Sequence, residues 1–207
     1  MTYSLKLLKY FLLFTQNLLG VINSPYRAFR RISQTEELGQ LIFIFLLVAF
    51  YFAFGTSIRL GVGNPYLLSG EFNKLFSFAI LTFLLFSTLI YTLGTIFGGK
   101  GRIKSVLLGW SYTLLPTLVW FFITSLIYIL FPPPRTLSFP GKALSLVFIA
   151  FSLGMLFWKV VLYYLTLRFT LKLDLLRILG VSTVLAPVIA IYGIIMYRLG
   201  IYRIPFI

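Results

Sequence analysis

A seven-residue polar stretch separates two long apolar runs of this chain: Gly98-Gly99-Lys100-Gly101-Arg102-Ile103-Lys104. Residues 75–97 before it and residues 105–131 after it contain no Asp, Glu, Lys or Arg. About 20 apolar residues suffice to cross the hydrocarbon core of a bilayer, so each run is long enough to form a membrane span. The stretch is therefore predicted to be a tight, cation-bearing turn at the headgroup level that joins two spans into a helical hairpin.

The composition of the whole chain agrees with a membrane protein. Of its 207 residues, 60% are hydrophobic and only 11% are charged, whereas soluble domains have about 45–50% and about 25%. The mean hydropathy is +1.00. The sequence predicts an all-α fold, a polytopic membrane helical bundle.

The side chains of common catalytic and metal sites are scarce. The chain has no Cys and no His, which removes thiolate nucleophiles, imidazole bases and most zinc, haem and iron–sulfur sites. Four carboxylates remain, an adjacent pair and two isolated residues, and they do not form an acid/base dyad: Glu36, Glu37, Glu71 and Asp174. We expect no catalytic residue, no cofactor and no metal, and no enzymatic activity.

Apolar run lengths predict five spans in a membrane domain over residues 35–207. They cover about residues 38–58, 75–97, 105–131, 143–164 and 175–197. Residues 59–74 contain several Gly, Asn and Pro residues and are predicted to be a loop. Glu36 and Glu37 are expected in the first turn of a helix capped by Ser33 or Thr35, where the helix dipole favours acids.

The distribution of Lys and Arg predicts the orientation. With five spans, 12 of the 18 cations fall on the side of the N-terminus and 6 on the opposite side. Cytoplasmic segments carry the excess of Lys and Arg, so the N-terminus is placed in the cytosol and the C-terminus outside or in a lumen.

Residues 1–34 are predicted to form amphipathic helices that lie on the membrane. In the first helix, polar residues share one side and apolar residues the other. The polar side contains Lys6, Lys9, Gln16, Asn17, Gly20 and Asn23. A second, basic helix is expected to begin at Ser24-Pro25, because Pro at the first helical position lacks the N–H that would be unsatisfied there.

Two segments on the predicted cytosolic side are especially rich in cations, and together they are the candidate binding site. The net charge of +14 is spread over the ends of the apolar runs, so we expect no nucleic acid partner. The candidate residues for binding anionic lipid headgroups or an acidic partner are Arg27, Arg30, Arg31, Lys100, Arg102 and Lys104. The alternative is that they serve only as topology signals.

A second candidate set lies inside the spans. Residues 108–116 and 179–187 both fit the pattern LGxSxxLxP and end in Pro116 and Pro187, which makes two parallel helical hairpins a candidate repeat. Kinks at these prolines serve either helix packing or a substrate path. Lys159 lies within the fourth apolar run; it is either a functional intramembrane cation or a side chain that reaches the interface by snorkelling.

Together these features resemble the Yip family, the Ypt-interacting membrane proteins associated with Rab-type GTPases and early secretory traffic. The resemblance covers roughly residues 20–198. Its elements are the Ser24-Pro25 helix with Phe29 and Arg30, the FGGKG turn at residues 97–101, the apolar segment reaching Pro116, and five spans with a cytosolic N-terminus.

The resemblance implies a non-enzymatic membrane protein that binds small GTPases or integral membrane partners. It implies residence in the ER or Golgi in a eukaryote and in the cytoplasmic membrane in a prokaryote. The chain lacks the long soluble N-terminal region of trafficking members, so we expect a compact, prokaryotic-type member.

Two classes of function follow from these observations. The first is a membrane adaptor or scaffold that binds partner proteins or anionic lipid at its basic cytosolic face, with homo-oligomers as a further candidate state. The alternative is a small permease or transporter component that uses the Pro-kinked repeat. A transporter is expected to carry paired polar groups at the bilayer midplane, and Lys159 is the one such group in the predicted spans.

Overall fold

The computed structural model describes residues 3–61, 63–131 and 139–201, and within them every regular element is helical. In the described ranges eight α-helices follow one another, with a short 3₁₀ turn at Leu38–Gln40 between the second and third. They are α1 Tyr3–Asn23, α2 Pro25–Thr35, α3 Leu41–Leu60, α4 Pro65–Ile96, α5 Ile103–Tyr112, α6 Leu115–Leu130, α7 Phe139–Thr170 and α8 Leu175–Arg198. The all-α helical bundle expected from the sequence is confirmed.

Six segments are long and apolar enough to cross a membrane, when α5 and α6 are taken as one. Five of them correspond to the predicted spans, and the sixth is α1. Whether α1 lies on the membrane or crosses it stays a prediction. Lys9 Nζ pairs with Glu37 Oε1 at 2.6 Å and Asn17 Nδ2 donates to Gln40 Oε1 at 2.7 Å. These two contacts join α1 to the 3₁₀ turn and to the residue before it.

The predicted polar side of α1 does not face water throughout. Asn17 is fully buried, and Gly20 lies against Ala28 of α2. The apolar side is largely exposed, as shown by Leu12 and Ile22 with exposed fractions of 59% and 54%. The helix therefore buries part of its polar side against α2 and the 3₁₀ turn, and its apolar side is free to contact lipid.

A buried polar network holds these N-terminal elements together. Gln40 Oε1 accepts hydrogen bonds from Asn17 Nδ2 at 2.7 Å and from the Tyr112 hydroxyl at 2.8 Å. Arg31 Nε donates to Asn17 Oδ1 at 2.9 Å. Buried polar groups are costly unless they are hydrogen bonded, so this network fixes α1, α2, the 3₁₀ turn and α5 in one arrangement.

Two predicted boundaries are wrong for local reasons. Much of the predicted loop at residues 59–74 is helical, because α3 continues to Leu60 and α4 begins at Pro65. Asn64 is its N-cap and accepts from the Leu67 amide at 3.3 Å. The turn-forming pair Asn64-Pro65 is thus a helix start, and α4 extends ten residues before the predicted span.

The third predicted span is interrupted. α5 ends at Tyr112 and α6 begins at Leu115, with Pro116 in the first turn of α6. Pro116 has no N–H to donate to the preceding turn, so the helix ends one turn earlier. Pro187 lies inside the continuous helix α8. The two copies of the sequence pattern thus have different backbone structures, and the repeat stays a prediction.

Candidate functional site

The three cation-rich segments of the predicted cytosolic side lie at one end of the bundle. The Lys100 amide donates to the Leu171 carbonyl oxygen at 2.9 Å, and Arg177 Nη1 donates to the Gly98 carbonyl oxygen at 3.2 Å. Ser105 Oγ lies 3.1 Å from the Ser33 carbonyl oxygen. The α4–α5 turn therefore contacts both the α7–α8 connection and the end of α2.

Glycines in the turn make this close approach possible. A Cβ atom at Gly99 would be 2.7 Å from the Gly94 carbonyl oxygen and 3.1 Å from that of Leu171. At Gly101, a Cβ atom would overlap the Thr170 carbonyl oxygen. Gly98 has a φ of +82°, which few other residues adopt. The glycines predicted to form a tight turn thus also allow direct backbone contact with the end of α7.

The junction of these segments forms a cleft of about 430 Å³, here called the basic cleft. Three of the predicted candidates line it, Arg30, Lys100 and Arg102. The cleft is also lined by two cations that were not among the predicted candidates, Arg168 and Lys172. Glu36 is the one acidic residue among the described residues that line it. Five cations from α2, the α4–α5 turn and the end of α7 thus line the same cleft as a single carboxylate.

Glu36 lies beside the beginning of α5. Ser105 Oγ donates to Glu36 Oε1 at 2.8 Å, and Arg102 Nη1 donates to Glu36 Oε2 at 3.2 Å. The Ser105 hydrogen bond, with contributions from Arg102 and Lys104, holds the pKa of Glu36 below its ordinary value, although partial burial acts in the opposite direction. Glu36 is therefore a carboxylate at neutral pH and already occupies one anion position of the basic cleft.

The capping role expected of Glu36 is wrong. Ser33 and Thr35 lie in the last turn of α2, where their hydroxyls donate to the carbonyl oxygens of Arg30 and Arg31. Glu36 is the residue that ends α2, with a left-handed φ of 46°. The helix predicted to begin near residue 36 is still helix α2 up to residue 35, so Glu36 follows a C-terminus.

The remaining predicted cations are arranged differently. Arg31 is turned away from the basic cleft, because its guanidinium donates to Asn17 Oδ1 and to the Gln16 carbonyl oxygen. Arg27 and Lys104 are exposed but do not line the cleft. Arg168 Nη1 donates to Asp174 Oδ1 and to the Leu173 carbonyl oxygen, both within 3 Å, which fixes its position at the rim.

The intramembrane candidates come close to one another. Lys159 lines one groove with Pro116 and Ser152, and a second groove with Ser182 and Ala186, the residue before Pro187. Its helix, α7, ends at Thr170, eleven residues later and about 16 Å along the axis. Lys159 thus lies well away from the end of α7 and between the two proline-containing segments, and snorkelling stays a prediction.

Comparison with known proteins identifies the family. No curated protein and no solved structure matches the chain. The family model described as the Yip1 domain matches residues 19–197, nearly the whole chain. The match includes α2, the glycine-rich turn and all five predicted spans. This multi-pass helical membrane protein therefore belongs to the Yip1 domain family.

Proposed function

We propose that the protein is a non-enzymatic membrane adaptor whose basic cleft binds anionic groups of partner proteins or of lipids. The observation that supports this proposal is the basic cleft itself, which five cations from three parts of the chain line together with Glu36. Residues that serve only as topology signals would not need to converge on one cavity. The family adds a link to membrane trafficking, and small GTPases and integral membrane proteins are the partners to test first.

Electrostatics predicts how strongly the basic cleft binds an anionic surface and how this binding depends on salt. A Lys or Arg near an anionic membrane surface contributes about 1 kcal/mol. Exposed charges are screened over about 8 Å at physiological ionic strength, so binding in the cleft should weaken as salt is raised. Arg30, Lys100 and Lys172 are exposed cleft residues, and they are the natural targets for neutralisation.

The test is a triple variant with a matched control. Arg30→Gln, Lys100→Gln and Lys172→Gln remove three charges from the basic cleft. Lys74→Gln, Lys142→Gln and Arg198→Gln remove three exposed charges from the opposite ends of α4, α7 and α8. Cross-linked partners and retained anionic lipid are then quantified after purification from native membranes at low salt.

We expect the cleft variant to lose at least ten-fold in recovered partner or anionic lipid, while the control variant keeps wild-type recovery. Equal recovery of both partner and lipid from the two variants would contradict the proposal. Thermal unfolding of all three proteins in detergent checks that the fold is intact.

A permease role is the second candidate, and it rests on the position of Lys159 between the grooves next to Pro116 and Ala186. An ionisable residue at such depth is expected to serve a function. Solute uptake into proteoliposomes that depends on Lys159, and that the cleft variant leaves unchanged, would favour this role over the adaptor.

A further inference from the structure

We propose that the basic cleft binds the phosphomonoester headgroup of an anionic lipid, and that Glu36 is an internal competitor that the phosphate displaces from Ser105 and Arg102. This inference rests on the proposed function and specifies its ligand and its regulation.

The charge in the basic cleft favours a phosphomonoester. Five cations line the cleft, Glu36 contributes one negative charge, and Arg168 is paired with Asp174, so three positive charges remain. A phosphomonoester carries about −1.5 to −2 charges at pH 7 and presents three acceptor oxygens. A phosphodiester headgroup or a carboxylate carries a single charge. The ligand that best neutralises the remaining cations is therefore one with a terminal phosphate.

Glu36 marks the position where an anion binds. Its carboxylate accepts from Ser105 Oγ at 2.8 Å and from Arg102 Nη1 at 3.2 Å. Ser105 is in the first turn of α5, whose N-cap is Arg102. A helix start, a hydroxyl donor and a guanidinium together form a typical phosphate environment. A phosphate that uses these donors has to replace the Glu36 carboxylate.

The backbone of the basic cleft is strained at two of its residues. Among the described residues, Glu36 and Lys172 are the two non-glycine residues with positive φ, at 46° and 57°. Both line the basic cleft. Such conformations persist where the surrounding structure enforces them, and they concentrate at ligand clamps and switches.

The location of the basic cleft favours a lipid over a soluble phosphate. Lys100 and Lys172 follow the long apolar helices α4 and α7 within a few residues, at the expected headgroup level. Phe169 lines the cleft, and its ring packs edge-on against that of Tyr26 at 4.8 Å. An apolar rim next to the bilayer suits a ligand that has a phosphate and acyl chains.

The experiment measures lipid binding to the purified full-length protein in detergent by native mass spectrometry. The probes are short-chain phosphatidic acid, phosphatidylglycerol of the same chain length, and soluble glycerol 3-phosphate. The variants are Glu36→Gln and Glu36→Gly. The glycine variant keeps the left-handed conformation at no steric cost, so a folded protein without the carboxylate is available. Lys142→Gln at the far end of α7 is the control.

We expect phosphatidic acid to bind at least five-fold more tightly than phosphatidylglycerol, and both Glu36 variants to bind it at least three-fold more tightly than wild type. Lys142→Gln should bind as wild type does. Unchanged or weaker phosphatidic acid binding in both Glu36 variants would overturn the competition. Equal affinity for phosphatidylglycerol, or full displacement by equimolar glycerol 3-phosphate, would overturn the assignment to a phosphomonoester lipid.

The two proposals fail in different ways. If neutralisation of Arg30, Lys100 and Lys172 abolishes partner or lipid recovery but the Glu36 variants bind phosphatidic acid no better than wild type, the adaptor function stands and the competition is wrong. If neutralisation of these three cations changes neither recovery nor phosphatidic acid binding, the proposed function itself is contradicted.

Discussion

The amide of Lys100 donates to the carbonyl oxygen of Leu171 at 2.9 Å. This hydrogen bond joins two connections that are 71 residues apart in the chain, the turn after α4 and the segment after α7. Because the basic cleft is lined from both connections, their relative position sets the spacing of its cations. The binding site therefore depends on the packing of backbone against backbone as well as on the charged side chains.

Gly101→Ala should destabilise the protein. The added Cβ would overlap the Thr170 carbonyl oxygen, and relief of such overpacking typically costs about 1–3 kcal/mol. Gly70→Ala is the control, since a Cβ at this helical position meets no atom within 4 Å. It should be neutral or stabilise by about 0.5–1 kcal/mol. Thermal unfolding in detergent measures both, and equal midpoints for the two variants would contradict the close packing at Gly101.

Gln40→Ala should cost more stability than Tyr112→Phe. The Gln40 side-chain oxygen accepts from two buried donors, those of Asn17 and Tyr112. Its removal leaves both unpaired, at a cost of about 3 kcal/mol, whereas Tyr112→Phe removes one donor at a cost of about 1 kcal/mol. Thermal unfolding of the two variants gives the order. A larger loss in Tyr112→Phe would show that Gln40 is not the centre of the network.

The sequence predicts the bundle and the hairpin well, because apolar run length and cation placement act locally along the chain. It does not predict Asn17 as a buried residue. Helical periodicity places Asn17 on a polar side but cannot tell whether that side meets water or another polar side chain. Here the partners are Gln40 and Arg31, which come from the two elements that follow α1, 23 and 14 residues later.

The composition of the basic cleft could be predicted only in part. Arg30, Lys100 and Arg102 stand out as dense local clusters, whereas Arg168 and Lys172 are spaced along a connection. Their side of the membrane could be read from the cation count. Their place in the cleft depends on α7 continuing to Thr170 and on the left-handed φ of Lys172, and neither has a clear signal in the sequence.

Helix α1 should have both ends on the cytosolic side of the membrane. The chain contains no Cys, so single Cys residues introduced at Tyr3 and Asn23, which are both exposed, can be labelled cleanly. The 21-residue helix is about 30 Å long, enough to cross the membrane. We expect both positions to react with an impermeant thiol reagent added from the cytosolic side. Reaction of only one of them would mean that α1 spans the bilayer.

Reporter fusions after Gly101 and at the C-terminus should be found on opposite sides of the membrane. This expectation follows from the excess of Lys and Arg on the N-terminal side. It also follows from the three spans after the turn, which are the interrupted span of α5 and α6, then α7, then α8. An odd number of spans places the two reporters on opposite sides. A fusion after Lys172 should share the side of Gly101, since the two connections are in contact. A C-terminal reporter on the same side as the Gly101 reporter would contradict the predicted topology.

Glu36 should stabilise the fold at neutral pH and lose this contribution in acid. The Ser105 hydrogen bond, Arg102 and Lys104 hold the pKa of Glu36 below its ordinary value. The ionised form of Glu36 is therefore more stable in the folded protein than in the unfolded chain. The contribution is complete above the unfolded pKa of about 4.3 and disappears as the pH falls through the lower folded pKa.

The difference in thermal midpoint between wild type and Glu36→Gln isolates the contribution of Glu36 from that of the other three carboxylates. This difference should be constant from pH 6 to 8 and shrink below about pH 4. In Ser105→Ala, which removes the main cause, the difference should be smaller throughout and should be completely lost at a higher pH. A difference that grows in acid would reverse the sign and show that the protonated form of Glu36 is the one that the fold prefers.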